Sequence, residues 1–277
     1  MRRSMRNHFS SLFIYLLLIF LAVTMVTPFA WMVSTSFKKP AHQYQRNFIP
    51  EPFTLENYRN LGEKIPFGHE VWNSFYISAL ITIGQLLTCS MAAFVFAAVR
   101  FKYRDTLFVL LLITFVIPFH VTLIPNFIIF KSLRLVGTSL PLWLPAFWGG
   151  AFGTFLIRQY FLTIPHELAE SARIDGGSLW RIYWNIYMPL SRPALAALAI
   201  FTFLGAWNDL LHPLIYLPAA LERTTIQIGL SLFQTQYSGK WTIMMAGTVI
   251  SILPVIALFF IAQKQFIEGI ALSGLKR

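Results

Sequence analysis

Residues 165–190 read PHELAESARIDGGSLWRIYWNIYMPL and interrupt an otherwise apolar chain. This stretch is polar and charged, whereas the sequence on both sides is strongly apolar. A connection between two packed helices needs only a few residues. The insert that contains this stretch, residues 163–192, is much longer, so we expect it to act outside the bilayer that the flanking sequence predicts.

Two short helices are predicted in the insert, separated by a glycine pair. Pro165 suits the start of the first helix, Gly176-Gly177 ends it, and Ser178 is a suitable N-cap for the second. An aromatic residue then recurs at i, i+3, i+4 and i+7, at Trp180, Tyr183, Trp184 and Tyr187. This spacing predicts an aromatic stripe on one helix face. The helix can lie in the headgroup layer or dock on a partner protein, and the two readings are compatible.

The composition predicts an integral membrane protein. Of the 277 residues, 56% are hydrophobic and only 12% are charged, and the mean hydropathy is +0.62. A soluble domain carries about 25% charged residues. The net charge of +11 therefore indicates the basic inner loops of a membrane protein rather than a nucleic acid partner.

Six windows are long enough for a helix that crosses the bilayer, which takes roughly 20 apolar residues. They lack Asp, Glu, Lys and Arg, apart from Asp209 in the fifth, and lie at about 11–33, 71–99, 106–130, 138–157, 193–217 and 241–263. Strands of a membrane barrel would be about half as long and would alternate apolar with polar residues. The predicted fold class is therefore an all-α membrane protein with six transmembrane helices.

The first window follows Arg2, Arg3 and Arg6, as a secretory signal peptide would. Its apolar run is longer than the hydrophobic region of a signal, and no small-x-small cleavage motif follows it. We therefore expect an uncleaved anchor.

The basic residues predict the orientation of the chain. With a cytoplasmic N-terminus, 13 of the 22 Lys and Arg residues fall in inner segments and 9 in outer ones, which favours cytoplasmic termini at both ends. The chain is accordingly divided into residues 1–70 (tail, first helix and outer loop), 71–263 (the core, including the inner loop 163–192) and 264–277 (cytoplasmic tail).

The insert also carries residues by which the chain resembles a known family. Glu170-Ser171-Ala172, Gly176 after three residues, and Ile186-Tyr187-Met188-Pro189 after nine more keep the spacing of the Glu-Ala-Ala loop of binding-protein-dependent ABC importer permeases. Ser171 replaces an Ala of that pattern and Met188 a Leu. Other segments resemble the maltose-type carbohydrate permeases in order along the chain: Asn57-Tyr58, Asn73-Ser74, 150–159, Trp207-Asn208-Asp209 and 265–269.

This resemblance implies a type I ABC importer permease fold in which the insert is the coupling loop that docks on an ATPase subunit. The implied ATPase-coupling residues are Glu167, Glu170, Ser171, Ala172, Asp175, Gly176, Ile186 and Pro189. The implied partners are a second homologous permease, two copies of an ABC ATPase, an extracytoplasmic solute-binding protein and a carbohydrate substrate, in the inner membrane of a bacterium. ATP and Mg²⁺ would be used by the ATPase, so no cofactor is expected on this chain.

Asp209 is the only formally charged residue inside a predicted span. An ionisable group at mid-depth costs about 2.5–3.5 kcal/mol on insertion scales, so it is expected to face a cavity or a partner. It can also be an interfacial residue capped by Asn208 or His212. The resemblance at Trp207-Asn208-Asp209 favours a wall of the substrate pathway.

The outer loop after the fifth span mixes polar and apolar residues. We expect it to contact the binding protein through Gln227, Leu230, Phe233 and Tyr237, although a plain surface loop fits the sequence equally well.

Motifs for nucleotide binding and catalysis are absent from the sequence. Gly239-Lys240 is followed by Trp241 and lacks the upstream glycine of a phosphate-binding loop. No catalytic residue and no metal site is predicted, and Cys89 is the only cysteine. An ion-coupled secondary transporter would need inverted repeats and several intramembrane charges, and an intramembrane enzyme would need a catalytic pair. We therefore predict a permease subunit of an ATP-driven carbohydrate importer, in contact with membrane lipid and not with nucleic acid.

Overall fold

A computed structural model describes residues 2–64, 66–217, 223–236 and 239–274, and all the regular structure in these ranges is helical. The helices, numbered in chain order, are α1 (Arg2–Ser36), α2 (Glu56–Lys64), α3 (Phe67–Ala98), α4 (Arg104–Val116), α5 (Phe119–Ser132), α6 (Leu140–Trp143), α7 (Ala151–Phe161), α8 (His166–Ile174), α9 (Leu179–Ile182), α10 (Met188–Leu190), α11 (Arg192–Trp207), α12 (Leu211–Tyr216), α13 (Ile226–Gln236) and α14 (Trp241–Gly274). Short 3₁₀ turns lie at Pro40–His42 and Leu144–Trp148, and a π-helical segment at Tyr183–Tyr187.

Four helical stretches are long and apolar enough to cross a membrane: Ser11–Ser36, Phe67–Ala98, Leu140–Phe161 and Trp241–Ile261. Two bent pairs also qualify if each is one span: Arg104–Val116 with Phe119–Ser132, bent by 93°, and Leu179–Leu190 with Arg192–Trp207, bent by 78°. The described residues thus contain four spans, or up to six if each bent pair is one span, against the six that the apolar windows predicted.

The third and fifth windows each hold two helices rather than one continuous helix. The third breaks at Ile117 and Pro118, which lie in the extended region between α4 and α5, because a residue before proline is pushed out of the helical region. In the fifth, α11 ends at Trp207 and α12 begins only at Leu211. Asp209 therefore lies in a helix break, and its predicted place inside a continuous span was wrong.

The chain packs as two compact units, Met1–Pro66 with Leu230–Leu253, and Phe67–Gly229 with Pro254–Arg277. This grouping does not follow the linear division at residues 70 and 263, which stays a prediction.

In the first unit, Asn57 ties the C-terminal end of α1 to α2. Its side chain is fully buried, and its Nδ2 donates to the carbonyls of Ser36 and Lys38, both at 2.7 Å. The hydroxyl of Tyr58 lies 2.8 Å from Ser36 Oγ. The last carbonyls of a helix have no partner within the helix, and Asn57 supplies a donor to the carbonyl of Ser36, the last residue of α1.

Lys38 is buried beside this junction. Its Nζ donates to the Gln45 carbonyl at 2.9 Å and lies 4.3 Å from the ring centroid of Trp31. Burial lowers the pKa of Lys38, because desolvation disfavours the charged amine.

The second unit has its hydrophobic core among α3, α7, α11 and the insert. Gly153 of α7 permits their close approach, since a Cβ there would lie 2.8 Å from Cys89 Sγ and 3.2 Å from Leu198. The fully buried core side chains include Cys89, Ile157, Phe161, Tyr183, Tyr187 and Leu198. The insert is therefore anchored in the same core that holds the membrane helices together.

Candidate functional site

The glycine pair of the insert forms the C-terminal stop of α8 as the sequence predicted. Gly176 has a φ of +79°, which favours glycine. Its N–H donates to the Arg173 carbonyl at 3.0 Å, and the N–H of Gly177 donates to the Ala172 carbonyl at 2.8 Å. These bonds form a Schellman motif. A Cβ on Gly177 would lie 2.6 Å from the Ala172 carbonyl oxygen, so both positions require glycine.

The carboxylates of the insert face outward. Ala169 is buried against the core, whereas Glu167, Glu170 and Asp175 are exposed. Within the described residues, these three carboxylates form no ion pair. They are therefore available to a basic partner surface.

The remaining predicted coupling residues lie between these carboxylates or after them in the sequence. Ser171, Gly176 and Pro189 are exposed, and Ala172 and Ile186 are partly buried. A small cavity of about 230 Å³ lies beside them, lined by Ala172, Asp175, Gly177, Arg181, Ile182, Asn185 and Ile186.

Burial divides the predicted aromatic stripe into two parts. Ser178 does cap α9, since its side chain accepts from Arg181 N, but the chain then adopts a π-helical segment. The wider turn brings Tyr183 and Tyr187 inward, each 1% exposed, while Trp180 is 57% and Trp184 40% exposed. The four aromatics therefore divide between an anchor and an exposed face.

The two tyrosines anchor the insert to α3 and α7. Tyr183 OH lies 2.7 Å from Ser90 Oγ. The Phe94 ring lies 5.4 Å from Tyr183 and 5.0 Å from Tyr187, and Tyr187 meets Phe161 edge to face at 5.1 Å. A force on the insert thus reaches two membrane helices through packed side chains.

A larger cavity of about 690 Å³ lies in the second unit. Its polar lining residues include Gln85, Asn126, Thr202, Asp209, His212 and Tyr216, and its aromatic lining residues include Phe119 and Phe201. Apolar walls with a few polar groups are typical of small-molecule sites. Of these residues, the sequence had predicted only Asp209, because the others are scattered over separate helices that only packing brings together.

Asp209 lies in the helix break at this cavity. Its Oδ1 accepts from the backbone N–H groups of Leu211 and His212 at 3.0 and 3.3 Å, and its Oδ2 lies 2.6 Å from His212 Nδ1. Asp209 therefore lines the cavity and pairs with His212, while its place in a substrate pathway stays a prediction. Asn208 does not cap it, since its Nδ2 donates to the Leu204 carbonyl.

Trp207 and Asn208 are not among the residues that line this cavity, and their place on a substrate pathway stays a prediction. The indole of Trp207 is 1% exposed and stacks on Phe203 at 5.8 Å. Because the indole is buried against neighbouring side chains, Trp207 stabilises the end of α11.

The predicted contacts with a binding protein fall in different environments. Gln227 is partly buried, and its Nε2 lies 3.4 Å from the Trp207 carbonyl and 3.5 Å from Asn208 Oδ1. Leu230 packs beside Gly247. Phe233 is 1% exposed, so its predicted surface contact is wrong in this conformation. Tyr237 lies outside the described residues.

Glu70 is a membrane-helix charge that the sequence windows missed. It lies in the first turn of α3 and is fully buried, and Arg158 lies near the end of the span Leu140–Phe161. Asp209 is therefore not the only charged residue in these segments. The signal was the i, i+4, i+8 spacing of Glu70, Ser74 and Ser78, which the window starting at residue 71 cut in two.

Comparisons with known proteins agree with this architecture. A family model described as the binding-protein-dependent transport system inner membrane component matches residues 85–271. The arabinooligosaccharides transport system permease protein AraQ of Halalkalibacterium halodurans is 36% identical over 93% of each chain. The sn-glycerol-3-phosphate transport system permease protein UgpE of Yersinia enterocolitica is 31% identical over 82% of this chain and 83% of its own.

A solved structure has the same fold. It is a bacterial ABC transporter involved in the import of the acidic polysaccharide alginate, and its matched chain is 24% identical, with a TM-score of 0.82 over 94% of this chain and 97% of that one.

Proposed function

The chain belongs to the family of binding-protein-dependent transport system inner membrane components, and from that premise we propose that it forms half of the pathway by which an ATP-driven importer carries a carbohydrate. It is a transporter subunit and not an enzyme. The other half of the pathway belongs to a second, homologous permease. Two ABC ATPase subunits supply the energy, and an extracytoplasmic binding protein delivers the substrate.

The observation that carries this proposal is the 690 Å³ cavity at the break between α11 and α12. Amide, hydroxyl and carboxylate groups on its wall can hydrogen-bond sugar hydroxyls, and the Phe119 and Phe201 rings offer apolar faces. The break frees backbone groups that a continuous membrane helix would satisfy internally, and Asp209 Oδ1 accepts from two of them. Such irregular backbone is tolerated where it lines a cavity.

Helix α11 connects this cavity to the coupling insert. It begins at Arg192, directly after the insert, and ends at Trp207. Its 16 residues span about 24 Å at 1.5 Å per residue. A movement of the insert against the ATPase can therefore reach the cavity through one helix, with Glu167, Glu170 and Asp175 as the polar contacts with the ATPase.

Two of three relatives are named for hydroxylated solutes, which favours such a solute for this chain. AraQ is named for arabinooligosaccharides, a 34% identical Synechocystis permease for osmoprotective compounds, and UgpE for glycerol phosphate. We propose a sugar or sugar alcohol, with the binding protein setting the finer specificity.

The family places the chain in the inner membrane as a multi-pass protein. We further propose that both termini and the insert 163–192 are cytoplasmic. In this arrangement ATP and Mg²⁺ bind to the ATPase subunits and no cofactor binds to this chain. Reporter fusions at residues 165 and 240 test the orientation, since only the second site should lie outside.

The functional test is uptake by the assembled importer in proteoliposomes. Asp209→Leu should reduce carbohydrate uptake while subunit assembly stays normal, and Glu170→Lys should abolish ATP-driven uptake by disturbing the ATPase contact. Glu56→Gln, an exposed carboxylate change in the outer loop, is the control. Normal uptake by both Asp209→Leu and Glu170→Lys would refute the proposed pathway and coupling site.

A further inference from the structure

The outer end of α3 holds the segment Thr224–Gly229 through side chains that the proposed mechanism does not use. Ser74 Oγ accepts from Ile226 N at 2.8 Å, and Asn73 Nδ2 donates to the Thr224 carbonyl at 3.0 Å. Thr224 Oγ1 donates to Glu70 Oε1 at 3.2 Å. One helix face thus binds the backbone and side chain at the start of α13.

The buried side chain of Glu70 fills the space beside the Gly229 backbone. Its side chain is fully buried, and its Oε2 is a buried oxygen without a hydrogen-bond partner. A Cβ on Gly229 would overlap the carboxyl group of Glu70. The carboxyl group therefore lies directly against the Gly229 backbone, in a space that exists only because residue 229 has no side chain.

The segment held by Glu70 borders the cavity. Thr225 is 4% exposed and is one of the cavity-lining residues. Two residues further, Gln227 approaches Trp207 and Asn208, next to Asp209. Releasing the segment would uncover the cavity wall and remove the support of the helix break.

We propose that Glu70 is a positioning residue that holds Thr224–Gly229 against α3 and thereby sets the outer wall of the cavity. Its carboxyl group accepts a hydrogen bond from Thr224 and packs against the Gly229 backbone. This role rests on the proposed function only insofar as the cavity is the substrate pathway.

The test uses a cysteine at the buried wall position. Thr225→Cys is introduced into the full chain within the assembled importer, and its reaction rate with a membrane-impermeant maleimide is measured from outside. Native Cys89 is fully buried, and the chain without the added cysteine gives the background rate. In this labelling parent, Thr225 Oγ1 makes no hydrogen bond that the change would remove.

Glu70→Ala should increase the labelling rate by about fivefold to tenfold, the factor expected when a local opening equilibrium loses one hydrogen bond. Glu70→Gln keeps an acceptor oxygen and the side-chain volume, so its rate should stay near that of the parent. Thr224→Val removes the hydroxyl that donates to Glu70 and should also speed labelling. Glu56→Gln is the matched exposed control and should change nothing.

A second variant tests the contact from the opposite side. Gly229→Ala should speed labelling in the parent, because its methyl group meets the Glu70 carboxyl group. In the Glu70→Ala background the same change should have no further effect, since the space is then empty. Additive effects of the two changes, or parent-like labelling in Glu70→Ala, would overturn the positioning role.

Uptake in the same preparations separates this inference from the proposed function. Labelling that responds as expected, in an importer that moves no carbohydrate, keeps the role of Glu70 and rejects the transport proposal. Normal carbohydrate uptake, with a labelling rate that does not change in Glu70→Ala, keeps the transport proposal and rejects the role of Glu70.

Discussion

The hydrogen bond between Tyr183 of the insert and Ser90 of α3 predicts that its two partners are not equivalent. The Ser90 hydroxyl has one proton and donates it to the Leu86 carbonyl, so Tyr183 is the donor in the 2.7 Å contact between the two hydroxyls. Both side chains are buried. Removing Tyr183 OH leaves Ser90 with its own bond, whereas removing Ser90 Oγ leaves a buried phenol without an acceptor.

The magnitudes follow from this asymmetry. Tyr183→Phe should cost about 0.6 kcal/mol, the average for a hydrogen bond between membrane helices. Ser90→Ala should cost about 1–3 kcal/mol, the penalty for an unsatisfied buried polar group. The double variant should cost less than the sum of the two single changes, because it removes the stranded phenol hydroxyl.

Thermal unfolding of the purified chain in detergent measures the stability order, and the ratio of carbohydrate imported to ATP hydrolysed measures coupling in the importer. Ser90→Ala should lower this ratio more than Tyr183→Phe, because it disturbs the anchor of the insert more. If Tyr183→Phe is as destabilising as Ser90→Ala, or if the double variant is additive, the assigned donor is incorrect.

Three further predictions concern the insert, the cavity and the contact between α1 and α2. Gly176→Ala should destabilise the end of α8 by about 1–2 kcal/mol, because alanine is strained in a left-handed backbone, and it should weaken recovery of the ATPase in a pull-down. Gly177→Ala should weaken recovery further, because its methyl group would meet the Ala172 carbonyl. Equal recovery of the ATPase by the two variants would contradict this. Asp209→Asn keeps acceptors for the α12 backbone, so its uptake should exceed that of Asp209→Leu, and equal uptake would remove the capping role. Asn57→Ala should lower the free energy of unfolding by about 1–3 kcal/mol, because it removes the donor to two carbonyls. Thermal unfolding measures this change against Asn47→Ala, a substitution of an exposed residue, and unchanged stability would contradict the role of Asn57 at the end of α1.

Local patterns in the sequence predicted much of the coupling insert. Its glycine stop, its Ser178 cap and its outward carboxylates depend on neighbouring residues, so spacing along the chain was enough to find them. The π-helical segment was missed because it exchanges local hydrogen bonds for the burial of Tyr183 and Tyr187, and that burial depends on Phe94 of α3 and Phe161 of α7.

The cavity residues were less predictable. Gln85, Asn126 and Thr202 come from three helices far apart in the chain, and a polar residue in an apolar helix has no sequence mark that tells whether it faces a cavity or a neighbouring helix. Glu70 was missed for a related reason. Windows drawn to exclude charge end at the first carboxylate, whether or not packing carries that carboxylate into the interior.

The residue pattern was enough to predict that the chain crosses the membrane as helices, that it has one large polar insert, and which family it resembles, because these properties follow from continuous apolar length and from short-range spacing. Packing sets where α11 breaks, which aromatics anchor the insert, and that Glu70 lies against Gly229. Those features depend on contacts between residues distant in the chain, and the free energy of burying a side chain is set by the neighbours that surround it after folding.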